Sequence, residues 1–237
     1  MNQKILFIIP AYNEEGSIAG VIDKIRKLEL KKYNRDILVI NDGSRDNTST
    51  ISSKLKVSVI DLPFNLGIGG AVQTGLIYAH LNNYDAAIQI DADGQHDPKE
   101  IVPLLKNLGV SDVIIGSRYI SDGNYQGSNI RRVGTNIFST LIKFTCGVTI
   151  YDSTSGLRVF NKKAIDFLYK EYPADFPEPE SIVSLLKRGF VIKEVGVKMS
   201  MRKTGKSSIN FLKSLYLMFT ISVAIILQAS RKVKSNG

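Results

Sequence analysis

Short apolar runs alternate along the chain with longer stretches in which apolar residues recur every three or four positions. The runs at residues 4–9, 36–40, 57–61, 86–90 and 112–115 have the length and composition of buried strands. Between them, residues 14–30 place Ile18, Val21, Ile22, Ile25 and Leu28 on one helical stripe, residues 46–54 read as a second helix, and residues 68–81 as a third, opened by glycines. Strand and helix alternate through the first half, which predicts an α/β fold with a mostly parallel sheet flanked by helices. Ligands of such sheets sit beyond the carboxyl ends of the strands. Four polar segments fall at those ends: residues 10–14, 41–48, 65–70 and 91–95.

The last of these carries the sharpest chemistry. Asp91 and Asp93 stand two residues apart directly after the apolar run that ends at Ile90. In an extended chain residues i and i+2 point to the same side, so both carboxylates reach one hard cation, magnesium or manganese, and leave coordination positions for substrate phosphates. An ordinary acidic turn is the alternative for this tripeptide taken alone, since Asp, Gly and Pro all favour turns. Composition then narrows the classes. A chain of 237 residues that is 43% apolar is one globular domain, or one domain with a short appendage. Its formal charge of +9 attracts anions: nucleic acid, nucleotide phosphates or an anionic membrane. The basic stretches lack interleaved aromatic residues, which counts against single-strand nucleic-acid binding. Cys146 has no partner for an internal disulfide and no signal sequence precedes Ile5, so a reducing, cytoplasmic setting is expected. One Cys and two His leave little for a zinc site.

Five segments in order, Ile9-Pro10-Ala11-Tyr12-Asn13-Glu14, Asn41-Asp42-Gly43-Ser44-Arg45-Asp46-Asn47-Thr48, Asn65-Leu66-Gly67-Ile68-Gly69-Gly70-Ala71, Asp91-Ala92-Asp93-Gly94-Gln95-His96-Asp97-Pro98 and Gly116-Ser117-Arg118-Tyr119, resemble family 2 glycosyltransferases of the GT-A fold. Within that family they look most like the dolichol-phosphate mannose synthases and their bacterial polyprenyl-phosphate relatives, over residues 4–208. The resemblance implies that Pro10, Ala11, Tyr12 and Glu14 cradle a nucleotide and that Asp42 pairs with its base. Asn41 departs from the family's more usual double aspartate. The resemblance also implies that Asp91, Asp93 and Gln95 hold Mg2+ or Mn2+ against the donor diphosphate. Gly67, with Gly69 and Gly70, fits either a phosphate-binding loop or close loop packing, and residues 44–48 read as a cap for the helix that follows.

The second half supplies arginines where the resemblance places phosphates: Arg118, Arg131 and Arg202, whose forked donors suit phosphate oxygens. Asp152 either positions the acceptor or acts on its proton, although an ionised phosphate acceptor needs little help from a base. A glutamate of Pro177-Glu178-Pro179-Glu180 lines the sugar pocket, serves as a base for a hydroxyl acceptor, or merely starts a helix. Residues 201–208 resemble a loop that closes over the donor, with Arg202 and Lys206 or Ser207 meeting the phosphates. Residues 133–148 form an apolar or amphipathic stretch after Arg131 and Arg132. Residues 214–230 run 17 positions without a charge, the lower limit of a bilayer span; they cross the membrane, lie in its interface, or pack as a helix.

The expected division is therefore a GT-A domain at residues 1–208 and a membrane-anchoring helix with a basic tail at 209–237. The expected activity is transfer of one sugar, with inversion, from a nucleotide-diphosphate sugar, UDP favoured, to polyprenyl (undecaprenyl) phosphate at the cytoplasmic membrane face. Expected partners are that donor, that acceptor and the membrane, with a small membrane partner protein or a second copy completing the acceptor site, and no nucleic acid. Extension of a lipid-linked or capsular saccharide with a carboxylate base is the alternative, and a non-enzymatic nucleotide or nucleic-acid binding module the remote one.

Overall fold

The computed structural model describes residues 2–120, 129–200 and 211–231. Among the described residues, β1 (Gln3–Ala11), β2 (Tyr33–Asn41), β3 (Ser58–Asp61), β4 (Ala86–Gln89), β5 (Val113–Ser117), β6 (Arg158–Asn161) and β7 (Ile192–Gly196) make one sheet in the order β3-β2-β1-β4-β6-β5-β7. Every pairing is parallel except those of β6, which runs antiparallel to both β4 and β5. The helices are α1 (Ile18–Arg26), α2 (Thr48–Lys54), α3 (Gly67–Leu81), α4 (Ile101–Leu105), α5 (Asn129–Cys146), α6 (Lys162–Glu171), α7 (Pro177–Lys187) and α8 (Phe211–Ser230).

β1 explains why its sequence is apolar without alternation: both of its faces are covered. Ile5, Phe7 and Ile9 point into a core shared with α1 and α4, while Leu6 and Ile8 point into one shared with α3, α6 and α7. The α1 stripe predicted from spacing is the buried face, with Ile18, Val21, Ile22 and Ile25 inside.

Several elements differ from the sequence expectation, helices α4 and α6 among them. The helix expected from residue 14 begins at Ile18, because Glu14 first closes a turn: its carbonyl accepts from the amides of Ser17 and Ile18, and its carboxylate accepts from Ser17 Oγ. The helix expected from residue 46 begins at Thr48, since Asp46 Oδ1 accepts from the Thr48 amide two residues on and holds the chain in a turn outside it. Strands β6 and β7 were not expected at all. Each is only four or five residues long, and β6 opens on an arginine, so neither carries a periodic signal.

The apolar segment near the C-terminus packs back onto the domain. Ile225 of α8 is fully buried in the core that α5 and α7 share. Gly134 of α5 lets Met218 approach so closely that a Cβ there would stand 3.1 Å from its Sδ. Lys187 of α7 donates to the carbonyls of Ala229 and Arg231, capping the C-terminal end of α8. The opposite faces stay open: Val133, Ile137 and Phe144 make one exposed stripe on α5, and Tyr216, Phe219 and Leu227 lie on an exposed face of α8. Among the described residues no helix is long and apolar enough to cross a membrane.

At the start of α3, Gly69 meets the loop before α7, where an added Cβ would lie 2.5 Å from the Ala174 carbonyl oxygen and 2.9 Å from that of Pro173. These are backbone atoms that cannot rotate away. Gly69→Ala is expected to lower stability by about 1–3 kcal/mol, the scale of overpacking, despite alanine's better helix propensity. Urea denaturation checks this, and an unchanged or higher midpoint contradicts the packing described.

Candidate active site

The loops after β1 and β2 clasp each other at the carboxyl edge of the sheet. The amides of Asn13, Glu14 and Glu15 donate to Ser44 Oγ, Thr48 Oγ1 and Asp46 Oδ2 at 2.9–3.0 Å. In return the Arg45 amide donates to Asn13 Oδ1 and the Asn47 amide to Glu15 Oε2. Residues 44–48 therefore hold the preceding loop as well as leading into α2. The clasp fixes Pro10 and Ala11 at the end of β1 and leaves Tyr12 exposed at the rim, where a flat ring is available for stacking.

Asp42 is buried just beyond β2, and its two oxygens accept from the amides of Leu66 (2.7 Å) and Gly67 (3.0 Å). It thus ties the glycine loop and the start of α3 to β2. The Gly67 amide is engaged within the protein, which supports loop packing over direct phosphate contact for this glycine. Asn41 also has a local reason. Its Nδ2 donates to Asp61 Oδ1 at 2.7 Å, so an aspartate at position 41 would face another carboxylate instead.

Asp91 follows β4, with its carboxylate resting on the backbone of Gly156. A Cβ on Gly156 would come within 2.6 Å of Oδ2 and 2.7 Å of Oδ1. Burial pushes the Asp91 pKa up to about 7, and the negative field of Asp93, Glu178 and Glu14 adds to it while Arg118 opposes it. Asp93 Oδ1 accepts from the Gln95 amide, which curls the chain and keeps both aspartates on one loop. Gln95 is held from the other side: Nε2 donates to the Ser200 carbonyl and its own carbonyl accepts from the Ser200 amide. His96 is buried beside Arg118, and burial with that guanidinium lowers its pKa to about 4, so the ring is neutral at pH 7.

Hard carboxylate oxygens, those of Asp91 in a negative field that Arg118 only partly offsets, fit a divalent cation. Among the described residues no three His, Cys, Asp or Glu side chains converge tightly enough to hold an ion alone. Two carboxylates completed by substrate phosphates is the usual arrangement for magnesium.

Arg118 and Asp152 are each other's partners. Asp152 is fully buried and accepts from Arg118 Nε (2.7 Å), Nη2 (2.6 Å) and the backbone amide (2.9 Å), while Nη2 also donates to Thr154 Oγ1. An aspartate so enclosed is poorly placed to take a proton from an acceptor, and the arrangement favours a positioning role. Glu194 supports it from β7, its carboxylate accepting from the amides of Tyr151 and Asp152 at 2.7 Å. Burial raises the Glu178 pKa, partly offset by Arg158. Glu180 Oε1 accepts from the Phe176 amide and so braces the start of α7.

These motifs therefore converge on one sheet edge, and comparison with known proteins reads the same pattern. The profile described as "Glycosyl transferase family 2" matches residues 6–168. The chain is a family 2 glycosyltransferase. It is 32% identical over 222 residues to the UDP-N-acetylglucosamine–dolichyl-phosphate N-acetylglucosaminyltransferase of Methanococcus voltae, covering 84% of this chain and 86% of that one. It is 28% identical over 219 residues to the polyprenol monophosphomannose synthase of Mycolicibacterium smegmatis, covering 88% and 82%. The fold matches glucosyl-3-phosphoglycerate synthase from Mycobacterium tuberculosis with a TM-score of 0.73 at 17% identity, covering 98% of this chain and 81% of that one. The GT-A expectation is thereby met.

Not every expected residue joins the site in view. The side chain of Arg131, in the first turn of α5, and all of Arg202 and Ser207 lie outside the described residues. Conversely, Glu194 and Arg158 belong to the glycosyltransferase's site architecture and were missed. Arg158 had one readable sign: an arginine opening the apolar run Val159-Phe160.

The charge on Asp91 yields a pH test. Its folded pKa lies above the ordinary carboxylate value, so the folded chain binds more protons than the unfolded chain between pH 4 and 7, and stability falls as pH rises through that window. Without divalent metal, the melting temperature is expected to drop more steeply from pH 5 to about 7.5 in the wild type than in Asp91→Asn. Equal slopes contradict the charge environment described.

Proposed function

We propose that the enzyme transfers one sugar, with inversion, from a UDP-sugar to a polyprenyl phosphate at the cytoplasmic membrane face, assisted by Mg2+ or Mn2+. One observation carries the reading: Asp91 and Asp93 share one loop beyond β4, held by the Gln95 amide and packed on Gly156, at the sheet edge where the loops after β1 and β2 clasp. The relatives support the acceptor class, since both named ones act on dolichyl or polyprenol phosphates by their names. The M. tuberculosis synthase, similar in fold, holds Mn2+ and UDP-glucose, which supports the donor and the ion.

Tyr12 and Asp42 border the space proposed for the base, with Pro10, Ala11 and Glu14 shaping its loop. Asp91 and Asp93, assisted by Gln95, would hold the ion, which neutralises the diphosphate as charge builds on the leaving nucleotide. Arg118, oriented by Asp152, partly offsets the negative field at Asp91. Arg131, Arg202 and Ser207 are assigned to phosphate contacts on the strength of the family resemblance. A lipid phosphate is already ionised at neutral pH, so the buried Asp152 need not act as a base.

The membrane enters through α5 and α8. Neither helix contains an Asp or Glu, both expose apolar stripes, and Arg131, Arg132, Lys143 and Lys213 supply positive charge. We infer that this paired surface lies in the headgroup layer of an anionic leaflet, bringing the lipid phosphate to the basic side of the site. A small membrane partner or a second copy of the chain is the proposed complement of the acceptor site.

The test is a transfer assay with radiolabelled nucleotide sugars, undecaprenyl phosphate and manganese. A labelled, mild-acid-labile lipid supports the reading; metal-dependent donor hydrolysis with no lipid product sinks it in favour of a saccharide acceptor. Asp91→Asn and Asp93→Asn are each expected to cut transfer about a hundredfold or more with the fold intact, the scale of a lost metal contribution. Full activity in both removes the metal assignment. Phe219→Glu with Leu227→Glu is expected to reduce cosedimentation with anionic vesicles about tenfold or more, from the apolar surface lost; unchanged binding refutes the docking surface.

A further inference from the structure

Among the described residues two charged side chains are 0% exposed, Asp152 and Arg158, and Arg158 is the larger. Burying a charge is tolerable only when its donors are satisfied. Here Nε donates to the Ser155 carbonyl at 2.8 Å, Nη2 to the Ser153 carbonyl at 2.9 Å, and Nη1 to both the Glu178 carbonyl and Ser181 Oγ at 3.0 Å. Three of the four acceptors are backbone carbonyls, so the side chain fixes the path of the main chain.

The places it fixes are the two sides of the site. Ser153 follows Asp152, the partner of Arg118. Ser155 precedes Gly156, on which the Asp91 carboxylate rests, and Ser155 Oγ donates to the Gly116 carbonyl at 2.6 Å, tying the same loop to β5. Glu178, in the first turn of α7, adds to the negative field at Asp91. A planar fork of five N–H donors spans these three directions at once, which the single ammonium of lysine cannot do.

We propose that Arg158 is the positioning residue that sets the spacing between the metal-side carboxylate Asp91 and the Arg118–Asp152 pair, and thereby the alignment of donor with acceptor. It touches neither substrate and acts only through the loop of residues 153–156 and the start of α7. The proposal rests on the transfer reaction given above. Loose alignment penalises reaction with the large acceptor more than reaction with water, which enters from many directions.

The experiment compares wild type and Arg158→Lys as full chains in the transfer assay, recording kcat for lipid product, the ratio of donor hydrolysed to sugar transferred, and UDP–manganese binding by calorimetry. Expected for Arg158→Lys is a fall in kcat of about tenfold or more, as for small misplacements of reacting groups, a raised hydrolysis ratio, and retained UDP–manganese binding. A folded Arg158→Lys with unchanged kcat and ratio, or a kcat loss that only mirrors a smaller folded fraction with the ratio unchanged, overturns the proposal. Should that variant not fold, Ser181→Ala removes a single acceptor and is expected to raise the hydrolysis ratio with a milder loss of kcat; an unchanged ratio there overturns it equally. A wild type that makes no lipid product defeats the transfer reading itself, an outcome distinct from an active wild type matched by its variants.

Discussion

The contact between the Asp91 carboxylate and the bare backbone of Gly156 governs the site. It places a half-buried carboxylate among Asp93, Glu178 and Glu14, where burial and like charge both oppose ionisation. Such a group is a poor structural element, and the cation proposed for it would relieve that cost. Much of the surrounding polar structure serves to keep it there: β4 delivers it, the turn after Asp93 keeps its neighbour on the same loop, and the antiparallel β6 brings Gly156 underneath.

Around that point several other polar groups are engaged within the protein, one as an ion pair and the rest by hydrogen bonds to amides. Arg118 is committed to Asp152, Asn41 to Asp61, Asp42 to two amides of the α3 loop, and Glu194 to the amides ahead of Arg118's partner. This division separates scaffold from chemistry. Groups with full sets of partners define distances, while the Asp91 carboxylate sits in a negative field that disfavours its charge.

The strands that deliver the site were legible because most of β1, the second half of β2 and β4 are buried on both faces and therefore largely apolar. The aspartates were legible because their spacing follows directly from an extended chain. What the sequence hid depends on contacts between distant segments. Nothing local says that Asp152 faces Arg118 across 34 positions, that Asn41 meets Asp61, or that Arg158 sits inside the core. The helix starts at residues 14 and 46 were placed too early because side chains there make turns before the first helical bond. The antiparallel β6 was hidden by its length, although its Arg158 is the residue around which the second half of the site is organised.

The account stands on the Asp91 loop as a cation site completed by a nucleotide diphosphate. A crystal structure of the chain grown with manganese and UDP, with anomalous data collected at the manganese edge, tests it most directly. The account predicts one anomalous peak within about 2.0–2.4 Å of oxygens from Asp91 or Asp93 and of the diphosphate, the range for hard divalent ions. UDP bound at the strand ends with no peak there, or manganese held elsewhere on the chain, would contradict it.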